Sequence, residues 1–292
     1  MPINFSVPHG ACDCHIHIIP DAELFPFSPQ RGYTPPGASL KQLLAMHKQV
    51  GIERFVIVSP SVYGTDNRVT LDILRRLPRH VRGVAVIDEK TSESELDDMH
   101  RLGVRGVRIN MEVNREADPA PFLEKLEETA RRIERLGWHI QANIRLSVIE
   151  AAQDRLAALP VMLVVDHFGH LRANLGLQQP GMQALLELLR AGRSYVKLSA
   201  VYQASSEADY SDMLPYARAC IEANLQRVLW GSNWPHPDLR TIKERPAETV
   251  TPYRVVDNEA VFRLLPAWTA GDPAVLQALL VDNPARLYDF ES

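Results

Sequence analysis

The chain has few cysteines, no excess of positive charge and no long apolar run, and each lack removes a class of function. Its 292 residues hold three cysteines, Cys12, Cys14 and Cys220. An odd number with no second close pair argues against a disulfide framework and a structural zinc site; reduced thiols in a cytoplasmic protein are the simplest account. Lysines and arginines total 32 against 36 aspartates and glutamates, a net charge of −4. Such a surface offers no basic field to nucleic acid and no polybasic anchor to a membrane. No apolar stretch approaches the ~18 residues of a spanning helix. Met1 to Gly10 lacks the charged start and apolar stretch of a secretory signal. No Gly-x-Gly-x-x-Gly follows the first predicted strand, so a dinucleotide crevice has no support.

What is present is an ordinary globular composition, 46% apolar and 23% charged, in regular alternation. Arg54–Val58 is a continuous apolar run, the mark of a strand buried on both faces. Further strands are predicted at 82–87, 104–109, 138–144, 161–165, 194–198 and 227–230. Helices are predicted between them, among them 39–50, closed by Gly51, 92–102, 147–158, 181–191 and 209–223. The longest, 120–136, carries Phe122, Leu123, Leu126, Ala130 and Ile133 on one stripe and ends at Gly137. With a strand ending at Asp13–His17 this makes eight βα units. Eight such units in one chain predict a (β/α)8 TIM barrel, a single domain over residues 1–292. The proline-rich stretch 20–38 is too aromatic for a linker, and 235–252 reads as a long loop over the barrel mouth.

A barrel carries its chemistry at the C-terminal ends of its strands. Strand one ends in Asp13-Cys14-His15-Ile16-His17. Alternation points His15 and His17 one way with Asp13 beside them, and sends Cys14 and Ile16 into packing. Two imidazoles so placed can bind a metal or polarise a carbonyl. The other ends offer Ser61, Tyr63 and Asp66, then Arg108 and Asn110, Asn143, Asp166 with His167 and His170, Lys197 with Ser199, and Asn233 with His236. Each alone reads equally well as a satisfied loop group. Histidines at three strand ends argue for convergence.

His15-x-His17, the run Val164–Gly169 and the run Trp230–His236 resemble the amidohydrolase superfamily in its amidohydrolase-2 branch. Phe25–Pro29 with Tyr33, and Ser61-x-Tyr63-Gly64-Thr65-Asp66-Asn67, are similar to the 2-pyrone-4,6-dicarboxylate lactonases and related lactone-processing enzymes. Asn283–Tyr288 also fits. The resemblance implies an enzyme acting on a small carboxylated lactone, with His15, His17 and His167 polarising the carbonyl and Asn233 in the catalytic set. It implies substrate contacts from Tyr33, Ser61, Tyr63, Arg108, Asn143, His170 and His236, with Arg108 on a substrate carboxylate.

Asn233 departs from the branch, which has a water-activating aspartate there. An amide holds a hydroxyl but takes no proton at neutral pH. Asp13, Asp66 and His236 are then the alternative bases. Asn143 also departs, standing where the lactonase has tyrosine, and residues 200–204 hold no arginine for a second carboxylate. No cofactor is expected, since strand four has no lysine and Asn233 removes an anionic ligand. A single divalent ion such as Zn2+ on His15, His17 and His167 stays open. Three functions follow: a metal-independent lactone hydrolase, a lactone isomerase in which a substrate hydroxyl replaces water, and a binding relative without catalysis. Whether the chain forms a homo-oligomer is left open.

Overall fold

Eight parallel strands pair in sequence order in the computed structural model, which describes residues 3, 5–111, 119–238, 242 and 244–291. They are β1 (Cys12–Ile16), β2 (Arg54–Val58), β3 (Val81–Ala85), β4 (Val104–Asn110), β5 (His139–Asn143), β6 (Leu163–Val165), β7 (Ser194–Ser199) and β8 (Val228–Gly231). The chain beyond β8 closes the ring onto β1: Asn233 N donates to His15 O at 2.9 Å, and His17 N to Trp234 O at 2.8 Å. The predicted (β/α)8 barrel is therefore the fold.

Local chemistry explains the alternation. The first helices are α1 (Leu40–Val50), α2 (Arg68–Arg76) and α3 (Glu93–Leu102). α1 starts at Ser39, whose side chain accepts from Gln42 N in a capping box, and Gly51 ends it at φ 76°. α3 repeats the device with Ser92, Glu95 and Gly103. The predicted helix 147–158 is two short ones, Leu146–Ala151 and Gln153–Ala157. Predicted 209–223 begins as a helix only at Leu214 and ends at Asn224. Two apolar layers result. Cys12, Cys14, Val56, Val58, Val84, Val164, Tyr195 and Leu229 form one cluster, joined by Tyr288 and Phe290 of the tail. Ile16, Phe55, Ile57, Val107, Ile140, Val165 and Leu198 belong to the larger cluster with the helices.

β1 departs from strict alternation. Asp13 pairs with Phe55 but Ile16 with Ile57, three residues against two, which is a β-bulge. The bulge corrects the expected facing of this strand. Asp13 turns away from the histidines: its Oδ2 lies 3.2 Å from Nε2 of His47 on α1. Its Oδ1 accepts from Ser232 N at 2.9 Å. Plain alternation already places Cys12 and Cys14 in the inner cluster, and the extra residue brings His15 and His17 round to that side at the mouth.

The two long loops are tied together. Thr251 N donates to Thr34 O at 2.8 Å, Thr34 Oγ1 to Ala247 O at 2.7 Å, and Tyr253 OH to Pro36 O at 2.7 Å. Within the predicted mouth loop 235–252, residues 239–241 and 243 lie outside the described residues.

β8 meets β1 at a glycine. A Cβ on Gly231 would stand 2.8 Å from His15 Cβ and 2.9 Å from His15 N. Gly231→Ala should therefore cost about 1–3 kcal/mol, the range for overpacking. A lower urea midpoint with an unchanged slope is the expected result; an unchanged midpoint refutes the close approach.

Candidate active site

The histidine cluster follows from three strand ends. The rings of His15 and His17 lie 5.0 Å apart at 87°, and those of His15 and His167 lie 4.6 Å apart. His170 meets the edge of His167 at 5.6 Å. The turn after β6 makes this approach by left-handed backbone at His167, Phe168, Gly169 and His170. Asn233 and His236 are also left-handed. Strained backbone of this kind persists where surrounding contacts over-determine it.

Burial keeps His15, His17 and His167 neutral. It pulls His15 down to about 4, although the Asp166 carboxylate opposes it. Burial, then the neighbouring His15, holds His17 and His167 well below the ordinary histidine range. Nδ1 of His17 lies 2.8 Å from Val58 O. A carbonyl only accepts, so that nitrogen carries the proton and Nε2 presents a lone pair. Nδ1 of His167 lies 2.8 Å from Ser199 Oγ.

Beneath them sits Asp166, which the sequence placed at a strand end without a role. Its Oδ1 is 3.2 Å from His15 Nδ1 and 3.8 Å from Lys197 Nζ. Its Oδ2 is 3.5 Å from Arg108 Nε and accepts from Gln141 Nε2 at 3.1 Å. Lys197 Nζ in turn donates to Gln141 Oε1 at 2.6 Å. Burial pushes the carboxyl up, but the His15 Nδ1 contact and the Lys197 ammonium outweigh it, and Asp166 stays well below the usual carboxylate range. Burial brings Lys197 down to about 8 against the pull of Asp166.

His15, Asp166 and His167 offer ligand atoms within 4.8 Å of one another, a group that could hold a metal ion. It differs from the set read in the sequence: Asp166 enters and His17 does not. The donor chemistry fits a divalent ion poorly. The one carboxylate already faces the Lys197 ammonium and the Arg108 guanidinium, each within 4 Å. A further +2 charge would be repelled by both.

Two adjoining spaces open at the mouth. The inner cleft, about 20 Å³, is lined by His17, Tyr33, Ser61, Arg108, Asn110, Asn143, His167, Gln203 and Asn233, with Pro60, Pro237 and Ile242. No carboxylate is among these residues. The outer chamber, about 270 Å³, shares Ser61, Arg108 and Asn110 and adds Ser28, Gln30, Thr65, Phe122 and Lys125 among others.

Three residues expected at the substrate stand back from both spaces. Tyr63 packs on Phe27 at 5.5 Å with its hydroxyl buried. His170 hydrogen-bonds Asn143 Oδ1, and Asn143 Nδ2 donates to Asn110 Oδ1 at 3.0 Å. His236 spends Nε2 on Asn258 Oδ1 at 2.9 Å and packs edge-on against Tyr202. The alternative bases are likewise engaged elsewhere. Asp13 is turned toward His47, and Asp66 is clasped by Arg68 through contacts of 2.9 and 2.6 Å. His236 is held as described. Asn233 donates from Nδ2 to Tyr202 OH at 2.8 Å, while its Oδ1 is buried without a partner. Tyr202 was invisible as a site residue, because only the fold brings the helix after β7 beside Asn233.

A family model described as Amidohydrolase matches residues 12–290. A 2-pyrone-4,6-dicarboxylate hydrolase of Comamonas testosteroni is 34% identical, over 98% of this chain and 92% of that protein. A 4-sulfomuconolactone hydrolase of Rhizobium radiobacter is 33% identical over the same shares of the two chains, 98% and 92%. A D-galactarolactone isomerase of Agrobacterium fabrum (strain C58 / ATCC 33970) is 26% identical, over 98% and 93%.

The buried histidines make stability sensitive to acid. His15 and His236 are lowered to about 4 and His139 to about 3, in each case first by burial. Their folded values lie below the unfolded value of about 6.5, so the unfolded chain binds more protons between the two. Their contribution is complete above about pH 6.5 and is lost as pH falls toward 4. Urea midpoints should drop between pH 7 and 4.5, and His139→Phe should shrink the drop. A flat midpoint over this range refutes the neutral, buried assignment.

Proposed function

Because the chain belongs to the amidohydrolase family, we propose that it is a hydrolase opening a carboxylated lactone. One observation carries this reading: neutral His17 and His167 and the cation Arg108 line one small cleft beside a chamber of small-molecule size. Relatives named as hydrolases of a pyrone dicarboxylate and of a lactone support the substrate class. In this reading the ring fills the outer chamber and its carbonyl sits where the two spaces meet. The Arg108 fork pairs with the substrate carboxylate. The Ser199 hydroxyl donates to Nδ1 of His167, leaving its Nε2–H to stabilise the developing oxyanion. Asp166 orients His15 behind them. Tyr33, Ser61 and Asn143 hydrogen-bond the ring substituents.

Migration of the acyl group within the lactone is the second reading. It is favoured by Asn233, by the absence of a carboxylate among the described residues that line the inner cleft, and by the isomerase among the relatives. Reaction in H₂¹⁸O separates the two, since hydrolysis labels the product and migration does not. Heat stabilisation by lactones with no turnover would support a binding protein instead. Among the described residues no helix is long and apolar enough to cross a membrane, and the free cysteines are buried. A cytoplasmic setting is part of the proposal.

We propose that no metal takes part, because Arg108 and Lys197 already supply positive charge around Asp166. Prolonged dialysis against EDTA should leave turnover unchanged; loss of activity restored by Zn2+ overturns this. Arg108→Lys keeps a charge facing Asp166 but loses the planar fork. It should raise KM for a carboxylated lactone by about ten-fold or more with little change in kcat, the signature of lost ground-state binding. An unchanged KM assigns Arg108 to the barrel wall.

A further inference from the structure

We propose that His17 is the general base, and that the inner cleft holds the attacking water between His17 Nε2 and Asn233 Oδ1. The proposal rests on the lactone reading and deepens it by naming the group that takes the proton. Its first support is the fixed tautomer of His17. The 2.8 Å contact with Val58 O commits Nδ1 as donor, so Nε2 is an acceptor and cannot donate to a carbonyl oxygen. His17 thus suits proton abstraction better than the carbonyl polarisation its family resemblance implies.

The second support is Asn233. Its Nδ2 is spent on Tyr202 OH at 2.8 Å, and its Oδ1 is buried with no partner while the residue lines the same cleft as His17. The backbone is clamped on both sides: Asn233 N donates to His15 O at 2.9 Å, and Asn233 O accepts from His236 N at 2.8 Å. The amide oxygen is therefore held in place to receive a hydrogen.

The third support is size. A space of about 20 Å³ has room for an ordered water. A water has two hydrogens, one for each acceptor, and keeps a lone pair for the carbonyl carbon. A substrate hydroxyl has one and would leave one acceptor unpaired, so the pair of acceptors favours hydrolysis over migration.

The step balances without a metal or co-reactant. The water oxygen bonds to the carbonyl carbon as the carbonyl π pair moves onto oxygen, and the water proton passes to His17 Nε2. Collapse re-forms the C=O bond and breaks the ring C–O bond. The leaving ring oxygen takes the proton back from His17, restoring the neutral imidazole. The new carboxylic acid ionises to solvent.

The test is a rescue. His17→Gln keeps an amide donor but no base, and kcat/KM for ring opening should fall about 10²–10⁴-fold, the usual worth of a general base. Adding Asn233→Asp to that variant places a carboxylate on the other side of the same water. It should recover about ten-fold or more of the lost rate. A His17→Gln enzyme within about three-fold of the wild type overturns the base assignment. A large loss with no recovery from Asn233→Asp overturns the shared water. Wild-type protein that opens no lactone overturns the underlying reading, a different outcome from either. Should His17→Gln unfold, His17→Ala with added imidazole replaces it: a rate rising with free imidazole is expected, and no rise overturns the proposal.

Discussion

The site depends on one buried ion, the carboxylate of Asp166. It is fully enclosed, and it faces His15 from β1, Arg108 from β4, Gln141 from β5 and Lys197 from β7. An uncompensated charge there would be far too costly to keep, and so would an unpaired Lys197. The two cations and the hydrogen bond from Gln141 offset that cost. Because the partners come from four different strands, the same contacts also set how those strands stand around the barrel axis. The histidine ring above the carboxylate is oriented by this arrangement and not by its own strand alone.

Around this ion the backbone bends where the chemistry needs it. The extra residue in β1 swings Asp13 out to His47 and leaves His15 and His17 at the mouth. Left-handed residues after β6 fold His167 and His170 back over the strand end, and another turns Asn233 toward the cleft. Gly231 lets β8 lie against His15, where a side chain would collide with it. These are local violations of regular geometry, and all lie within the few residues that shape the cleft.

The division of the mouth into a narrow cleft and a wider chamber separates two tasks. Among the described residues the cleft is lined by acceptors, donors and one cation, with no carboxylate. The chamber mixes hydroxyls, the amides of Gln30 and Asn110, and Lys125 with Phe122 and Ile87, a surface suited to a small polar ring. Arg108, Ser61 and Asn110 border both, and in the proposed reaction their junction takes the carbonyl. The long loops 20–38 and 235–252 touch each other through Thr34 and Thr251, with Tyr253 just beyond reaching Pro36, and Tyr33 lines the cleft.

The sequence by itself determined the eightfold alternation, because caps such as Ser39 with Gln42, stops such as Gly51 and the apolar run Arg54–Val58 are local signals. It also determined that histidines would gather at one mouth, since strand ends in a barrel share a face. Alternation failed between Asp13 and Ile16, where a bulge of one residue reverses the facing of the chain and leaves no mark in composition. Tertiary structure alone decided that Asp166 would be the buried anion, that Lys197 and Gln141 would answer it, and that Tyr202 would hold Asn233. Each of these is a contact between residues 25 or more apart in sequence. Such contacts are set by the closure of the ring and the burial of charge, neither of which a short stretch of sequence can express.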